Sequence, residues 1–182
     1  MFHYLKLMLQ LLMAPARGWE DVAESAENPR RTLLCGLLPL AALAALSAFT
    51  GRFYQLHPSF TPLLVKAVVM FIKYTVTYFI GVALLLNVLP RLTSDGLVNR
   101  ERVELFCAYC EGMMAVIGIL ECVMPMDITL LQFLPIYVVV VICMGRRFVD
   151  VDERNIFRFA GVSVFGLIVP VYLIDMLLSR AV

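Results

Sequence analysis

Charge is scarce in this chain of 182 residues: only 16% of them are Asp, Glu, Lys or Arg, the formal net charge is +1, and there are two histidines and one tryptophan. A near-neutral chain offers no basic face to a nucleic acid, and none is expected as a partner. There is no glycine-rich phosphate loop, no His-Glu metal motif and no serine nucleophile elbow. Nothing nominates a nucleophile beside a base, so no catalytic residue is assigned and an enzyme is not expected. The five cysteines, Cys35, Cys107, Cys110, Cys122 and Cys143, all lie in or beside apolar blocks. Their odd number, with no signal peptide expected, does not make a disulfide framework; they read as reduced packing residues. Internal repeats and low-complexity tracts are missing too, and the segments joining the apolar blocks leave no room for a soluble catalytic domain.

Apolar residues are what the chain has. They make up 62% of it, with a mean hydropathy of +0.88, against about 45–50% in soluble domains. A soluble domain of this size has too little interior to hide so much apolar surface. The excess falls in blocks of about 17–27 residues, the length that crosses a bilayer core. The fold class expected is therefore all-α: an integral membrane bundle of five transmembrane helices over about 32–50, 63–89, 104–124, 128–144 and 156–178, following an N-terminal segment over 1–31. Pro39, Pro135 and Pro170 lie inside spans, where neighbouring helices can repair the freed backbone groups. Pro90 and Pro125 close spans two and three.

Residues 2–14 are apolar but too short to span. His3, Lys6 and Gln10 recur three and four apart and form one polar stripe on a helix, the pattern of an amphipathic helix lying in the membrane interface. A signal peptide ending near Ala14-Pro15-Ala16 is the rival, but Lys6 interrupts the apolar middle that a signal needs. Trp19 is expected half wet, at headgroup level. With the N-terminus inside, the cytoplasmic segments hold Lys6, Arg17, Arg30, Arg31, Arg91, Arg100, Arg102, Arg146, Arg147, Arg154 and Arg158, and the outer side only Arg52 and Arg180. That asymmetry sets the N-terminus in the cytoplasm and, after five spans, the C-terminus outside.

Charges inside spans are the default place to look for function, since each costs about 2.5–3.5 kcal/mol near a helix centre. Span two carries Lys66 and Lys73; span three carries Glu104, Glu111 and Glu121. On antiparallel helices rising about 1.5 Å per residue, each lysine has a carboxylate at matching depth. The expected pairs are Lys73–Glu111 and Lys66–Glu121. Such pairs either fix helix register or relay protons or ions, as intramembrane carboxylates do in transporters; Lys66 and Glu121 could also snorkel separately to the outer interface. Asp175 is expected to be solvated at that interface.

Glu104, Cys107, Cys110 and Glu111 share one side of span three, and thiolates and carboxylates so placed could hold zinc. A structural zinc site draws a second ligand pair from elsewhere, and the only histidines, His3 and His57, fall far away. Packing is the expected role, with no metal and no cofactor. Ala41/Ala45, Ala44/Ala48 and Ala108/Gly112 are small residues four apart, which let helix backbones approach. Tyr74, Thr75 and Thr77 could supply hydrogen bonds between helices or within their own. The mixed-sign run from Gly145 to Arg154 reads as a solvated connection, with a partner-docking loop as the alternative.

Several short motifs resemble the Yip family, the Ypt/Rab-interacting membrane proteins, in its bacterial branch. They are Pro15 with Gly18-Trp19-Glu20, Leu37-Leu38-Pro39-Leu40, Ala108-Tyr109, Met124-Pro125, Leu134-Pro135-Ile136-Tyr137 leading to Met144-Gly145, and the closing Phe157–Leu178 span with Pro170. The resemblance implies a five-span bundle with a cytoplasmic N-terminus, and a scaffold or accessory role in membrane trafficking or export at a bacterial inner membrane. Its partners would be the bilayer and other membrane proteins or further copies of the chain. Eukaryotic members bind Rab-type GTPases through a long N-terminal region; the short segment here makes such binding not expected. The family has no agreed catalytic residues to carry over. The alternative from a different class is a small ion or substrate transporter using Lys73 and Glu111.

Overall fold

The structure is a computed structural model and describes residues 1–53, 60–93, 96–124 and 129–179. Among these residues every regular element is helical. A short pair, α1 (Phe2–Met13) and α2 (Pro15–Glu24), precedes the long helices. Four helices are long and apolar enough to cross a membrane: α3 (Pro29–Thr50), α4 (Phe60–Arg91), α5 (Arg100–Val123) and α7 (Glu153–Leu177). Between the last two lies α6 (Thr129–Met144), 16 residues long as described. The expected boundaries at Pro125 and Ile128, and the expected outer-side residues His57 and Arg180, fall outside the described residues.

Local chemistry fixes the helix starts. Pro29 opens α3 at a position where a missing N–H costs nothing, and the Asn28 side chain accepts from the Arg30 N–H at 3.0 Å. Asn99 caps α5 in the same way, accepting from Glu101 at 3.0 Å and from Arg102 at 3.4 Å. These caps occupy donors that the first helical turn otherwise leaves open.

The two interior prolines of α3 and α7 share one device. A π-helical turn, Leu33–Leu37, sits directly ahead of Pro39, and another, Val164–Ile168, directly ahead of Pro170. Proline lacks an N–H, and its ring clashes with the carbonyl four residues back. Widening that turn by one residue makes room for the ring while the helix continues.

Helix α5 is the centre of the bundle: 78% of its most apolar window is buried, against 44% for α3 and α4 and 28% for α7. Its neighbours α3, α4 and α7 turn Leu34, Leu46, Phe71, Ile72, Phe79 and Phe165 outward. Rows of exposed aliphatic and aromatic side chains on several helices are what a lipid-facing surface requires.

The N-terminal pair is a structural part of the bundle. Helix α1 buries Tyr4, Leu7, Met8 and Leu11, exposes Phe2, Leu9 and Met13 on another face, and carries the polar stripe between them. The Tyr4 hydroxyl donates to the Ala108 carbonyl at 2.8 Å, and its ring stacks on Tyr109 with centroids 4.9 Å apart. Burial pushes the Tyr4 phenol well above its ordinary range, and neighbouring Cys110, Glu111 and Glu27 add to the effect. The group therefore stays a donor. Trp19, expected half wet, is instead only 3% exposed. Gly145 leaves a gap at its ring, and Phe106 and Phe148 stack on either side at 5.2 and 5.1 Å. An indole that finds its partner inside the protein has no need of the headgroup layer.

Two further expectations change. Gly112 does not bring helix backbones together; the space that its missing side chain leaves is filled by the Tyr4 hydroxyl. The run from Gly145 to Arg154 is more than a solvated connection: Phe148, Val149 and Val151 are buried, Arg102 bonds Asp150 at 2.6 Å, and Arg146 pairs with Glu153.

Candidate functional site

Helices α4 and α5 run antiparallel in a register that three contacts fix. The sulfurs of Met70 and Cys122 are 3.8 Å apart, the Tyr74 hydroxyl fills the gap at Gly118, and Gly81 faces Cys107. Tyr74, rather than Lys73, is therefore the residue that α4 presents to α5. Lys73 follows the helical turn, about 100° round for the 3.6-residue period, and faces α7.

That rotation changes its partner. The Lys73 ammonium lies 2.5 Å from a carboxylate oxygen of Asp175, with side-chain exposures of 7% and 43%. The expected Lys73–Glu111 ion pair is not formed, and Asp175 is not simply solvated. The depth match that suggested Glu111 was off by about two turns, since Tyr74 stands opposite Gly118 and Glu111 lies seven residues further along α5, and it carried no information on which face of α4 the lysine leaves. The Lys73 ammonium also lies 5.0 Å from the centre of the Tyr74 ring, within cation–π range.

Lys66, Lys73, Glu121 and Asp175 all line one cavity of about 510 Å³ between α4, α5 and α7. Val69, Met70, Gly118 and Cys122 supply much of its apolar wall. The expected Lys66–Glu121 ion pair is not formed among the described residues; both side chains are exposed and line this cavity. Two cations and two anions from three helices thus surround a space large enough for a small solute. Asp175 is the member that residue-by-residue reading missed; its place three residues before the expected end of span five, at the level of Lys66 and Glu121, was the available signal.

Glu111 lies away from the cavity, near the middle of α5. It is fully buried, and neither carboxylate oxygen has a hydrogen-bond partner among the described residues. The Thr77 hydroxyl, on the facing stretch of α4, is buried and unpartnered as well. Thr75 bonds back to Phe71 in its own helix at 2.9 Å.

The possible metal ligands separate. Glu104 turns to Arg100 at 2.7 Å, and Cys107 and Cys110 are packed in the core. Among the described residues no three His, Cys, Asp or Glu side chains converge as a metal site. A second polar cluster lies at the opposite end of the bundle. Glu27 accepts from Tyr109 at 2.7 Å and from Thr32 at 2.9 Å, and His3 stands 3.4 Å away. This cluster ties α1, α3 and α5 together.

These features define an all-helical protein with four helices long and apolar enough to cross a membrane and a charged cavity among them. Comparison with protein-family models, curated proteins and solved structures gives no match.

Proposed function

We propose that the protein is a five-span, non-enzymatic protein of a bacterial cytoplasmic membrane that binds a small charged solute or ion in the cavity between α4, α5 and α7 and carries it across. In this reading α6 is the fifth crossing, the N-terminus is cytoplasmic and the C-terminus outside, and α1 lies in the interface with its polar stripe toward water. The supporting observation is the Lys73–Asp175 pair on the cavity wall. Placing a lysine among apolar helices is costly, and intramembrane ionisable groups around a cavity are the usual mark of a solute path. Lys66 and Glu121 on the same wall add one charge of each sign, which suits a zwitterion or an ion pair. The test is uptake of radiolabelled solutes into proteoliposomes holding the purified chain, screened over amino acids and inorganic ions. Uptake lost in Lys73→Met and Asp175→Asn supports the reading; no uptake of any solute above empty liposomes ends it.

A second reading keeps the trafficking or export accessory role that the Yip-like motifs imply. Its support is a depression of about 540 Å³ lined by Trp19, Arg102, Arg146, Phe148 and Asp150, at the end of the bundle where the basic residues gather. A mixed-charge surface on a rigid base suits a protein partner. Crosslinking in native membranes, followed by mass spectrometry of what a tagged chain retains, tests it.

A further inference from the structure

We infer that Glu111 is a proton-binding site, a carboxyl that holds its proton while Lys73 is engaged by Asp175 and releases it when Lys73 is freed. The coupling role rests on the transport reading above; the proton site itself rests on the geometry of α4 and α5.

Glu111 is 0% exposed, and both its oxygens lack a donor among the described residues. The titratable groups that bear on it are Lys73 and Tyr74 from α4, Tyr4 from α1, and Cys107 and Cys110 from its own helix. Only Lys73 is a cation, and Asp175 holds it. An ionised Glu111 would therefore be a buried charge with neither counterion nor hydrogen bond, the most expensive state a side chain can occupy in a core. Protonation removes the charge.

The surroundings also select the ligand. The cavity wall reaches Gly118 but not Glu111, and seven residues at about 1.5 Å each put roughly 10 Å of helix between them. A hard metal cation needs about six oxygen ligands, whereas the unpartnered buried side-chain oxygens among the described residues are the two of Glu111 and one each of Thr77 and Ser163. A ligand with almost no volume fits, and that ligand is a proton.

Lys73 connects the two levels. It reaches outward to Asp175, whose side chain is 43% exposed and can be hydrated when left alone. A solute that takes Asp175 away from Lys73 frees the ammonium to compensate Glu111 one to two turns deeper. The Glu111 proton then passes to water entering from the cavity, leaving a carboxylate beside an ammonium. One proton leaves, the lysine changes its anionic partner, and no electrons are exchanged. Tyr74 stands between the levels, with its hydroxyl in the gap at Gly118.

The experiment is labelling of the full chain in nanodiscs with dicyclohexylcarbodiimide, an apolar reagent that adds to protonated carboxyl groups, mapped by peptide mass spectrometry. The expected adduct is on Glu111 of the unaltered protein. Asp175→Asn releases Lys73 and should slow labelling at Glu111 about tenfold or more, because the freed ammonium favours the ionised carboxylate over the protonated form that the reagent needs. A merely structural Glu111 would not respond in that way. Adducts on Glu121 without Glu111, or a Glu111 rate indifferent to Asp175→Asn, overturn the inference. Should the variant not fold, the pH dependence of Glu111 labelling in the unaltered chain decides: labelling that is lost as the pH is raised from about 4 to about 6, as for an ordinary carboxyl, contradicts a held proton, and labelling that persists through that rise supports it. Labelling at Glu111 in a chain that moves no solute keeps the proton site and removes the transport reading.

Discussion

The indole N–H of Trp19 donates to the carbonyl of Val141 at 3.0 Å, across 122 residues of sequence. Val141 lies in the last turn of α6, where helix carbonyls run short of donors of their own. One side chain thus attaches the N-terminal pair to the end of α6 and lies between Phe106 and Phe148. Trp19→Phe should keep most of the stacking and lose the hydrogen bond, at about 1–3 kcal/mol. Trp19→Ala should cost about 3–5 kcal/mol. Denaturation in mixed micelles checks the order; equal losses for the two variants would show that the hydrogen bond carries the whole effect.

The Lys73–Asp175 pair predicts an asymmetry. Removing the lysine leaves an aspartate that is 43% exposed and can take up water; removing the aspartate leaves a lysine, only 7% exposed, whose remaining counterion is the deeper Glu111, reached only by ionising that buried carboxyl. Asp175→Asn should therefore destabilise more, approaching the roughly 3–5 kcal/mol of a stranded buried charge, whereas Lys73→Met should cost about 1 kcal/mol or less. Unfolding of both single variants and the double variant measures this. A larger loss for Lys73→Met would contradict the geometry.

Gly112 and Tyr4 make a second coupled pair. A Cβ at position 112 would collide with the Tyr4 hydroxyl, and overpacking of this kind costs about 1–3 kcal/mol. Tyr4→Phe removes the colliding atom together with its bond to Ala108. Gly112→Ala should thus be destabilising in the unaltered chain and clearly less so in the Tyr4→Phe background. Additive losses would mean that the phenol simply moves aside.

The sequence carried the broad architecture because block length and hydropathy act locally. Asn28 and Asn99 act locally too, each capping its own helix two or three residues on, but the hydropathy blocks alone did not single them out. Which residue of α4 meets α5 is a different kind of question. Lys73 and Tyr74 are adjacent in sequence and about 100° apart around the helix, so a depth argument cannot separate them; only the packing of Tyr74 against Gly118 does. Trp19 was misread because an amphipathic ring suits both a headgroup layer and a buried slot, and the slot is built from Phe106, Gly145 and Phe148, far off in sequence. The π-turns ahead of Pro39 and Pro170 escaped as well: proline marks the strain, but the neighbouring helices determine how it is relieved.

Topology provides the remaining prediction. Asn155 donates to the Leu92 carbonyl at 3.0 Å, and Arg102 bonds Asp150 at 2.6 Å, so the segments before α5 and after α6 share one end of the bundle. Positive residues gather there, and the orientation proposed above sets this end in the cytoplasm. Leu97 and Phe157 are 81% and 89% exposed at that end, and Phe60 is 64% exposed at the other. Single cysteines at these three positions, in a chain whose own cysteines are replaced by serine or alanine, can be labelled with a membrane-impermeant maleimide. Leu97→Cys and Phe157→Cys should label only in inside-out vesicles and Phe60→Cys only in intact spheroplasts. Labelling of Phe157→Cys from the outside would mean that α6 does not cross, and would reverse the direction of α7 in the membrane. The end holding Asp175 would then face the cytoplasm, and the cavity could not be a path entered from outside.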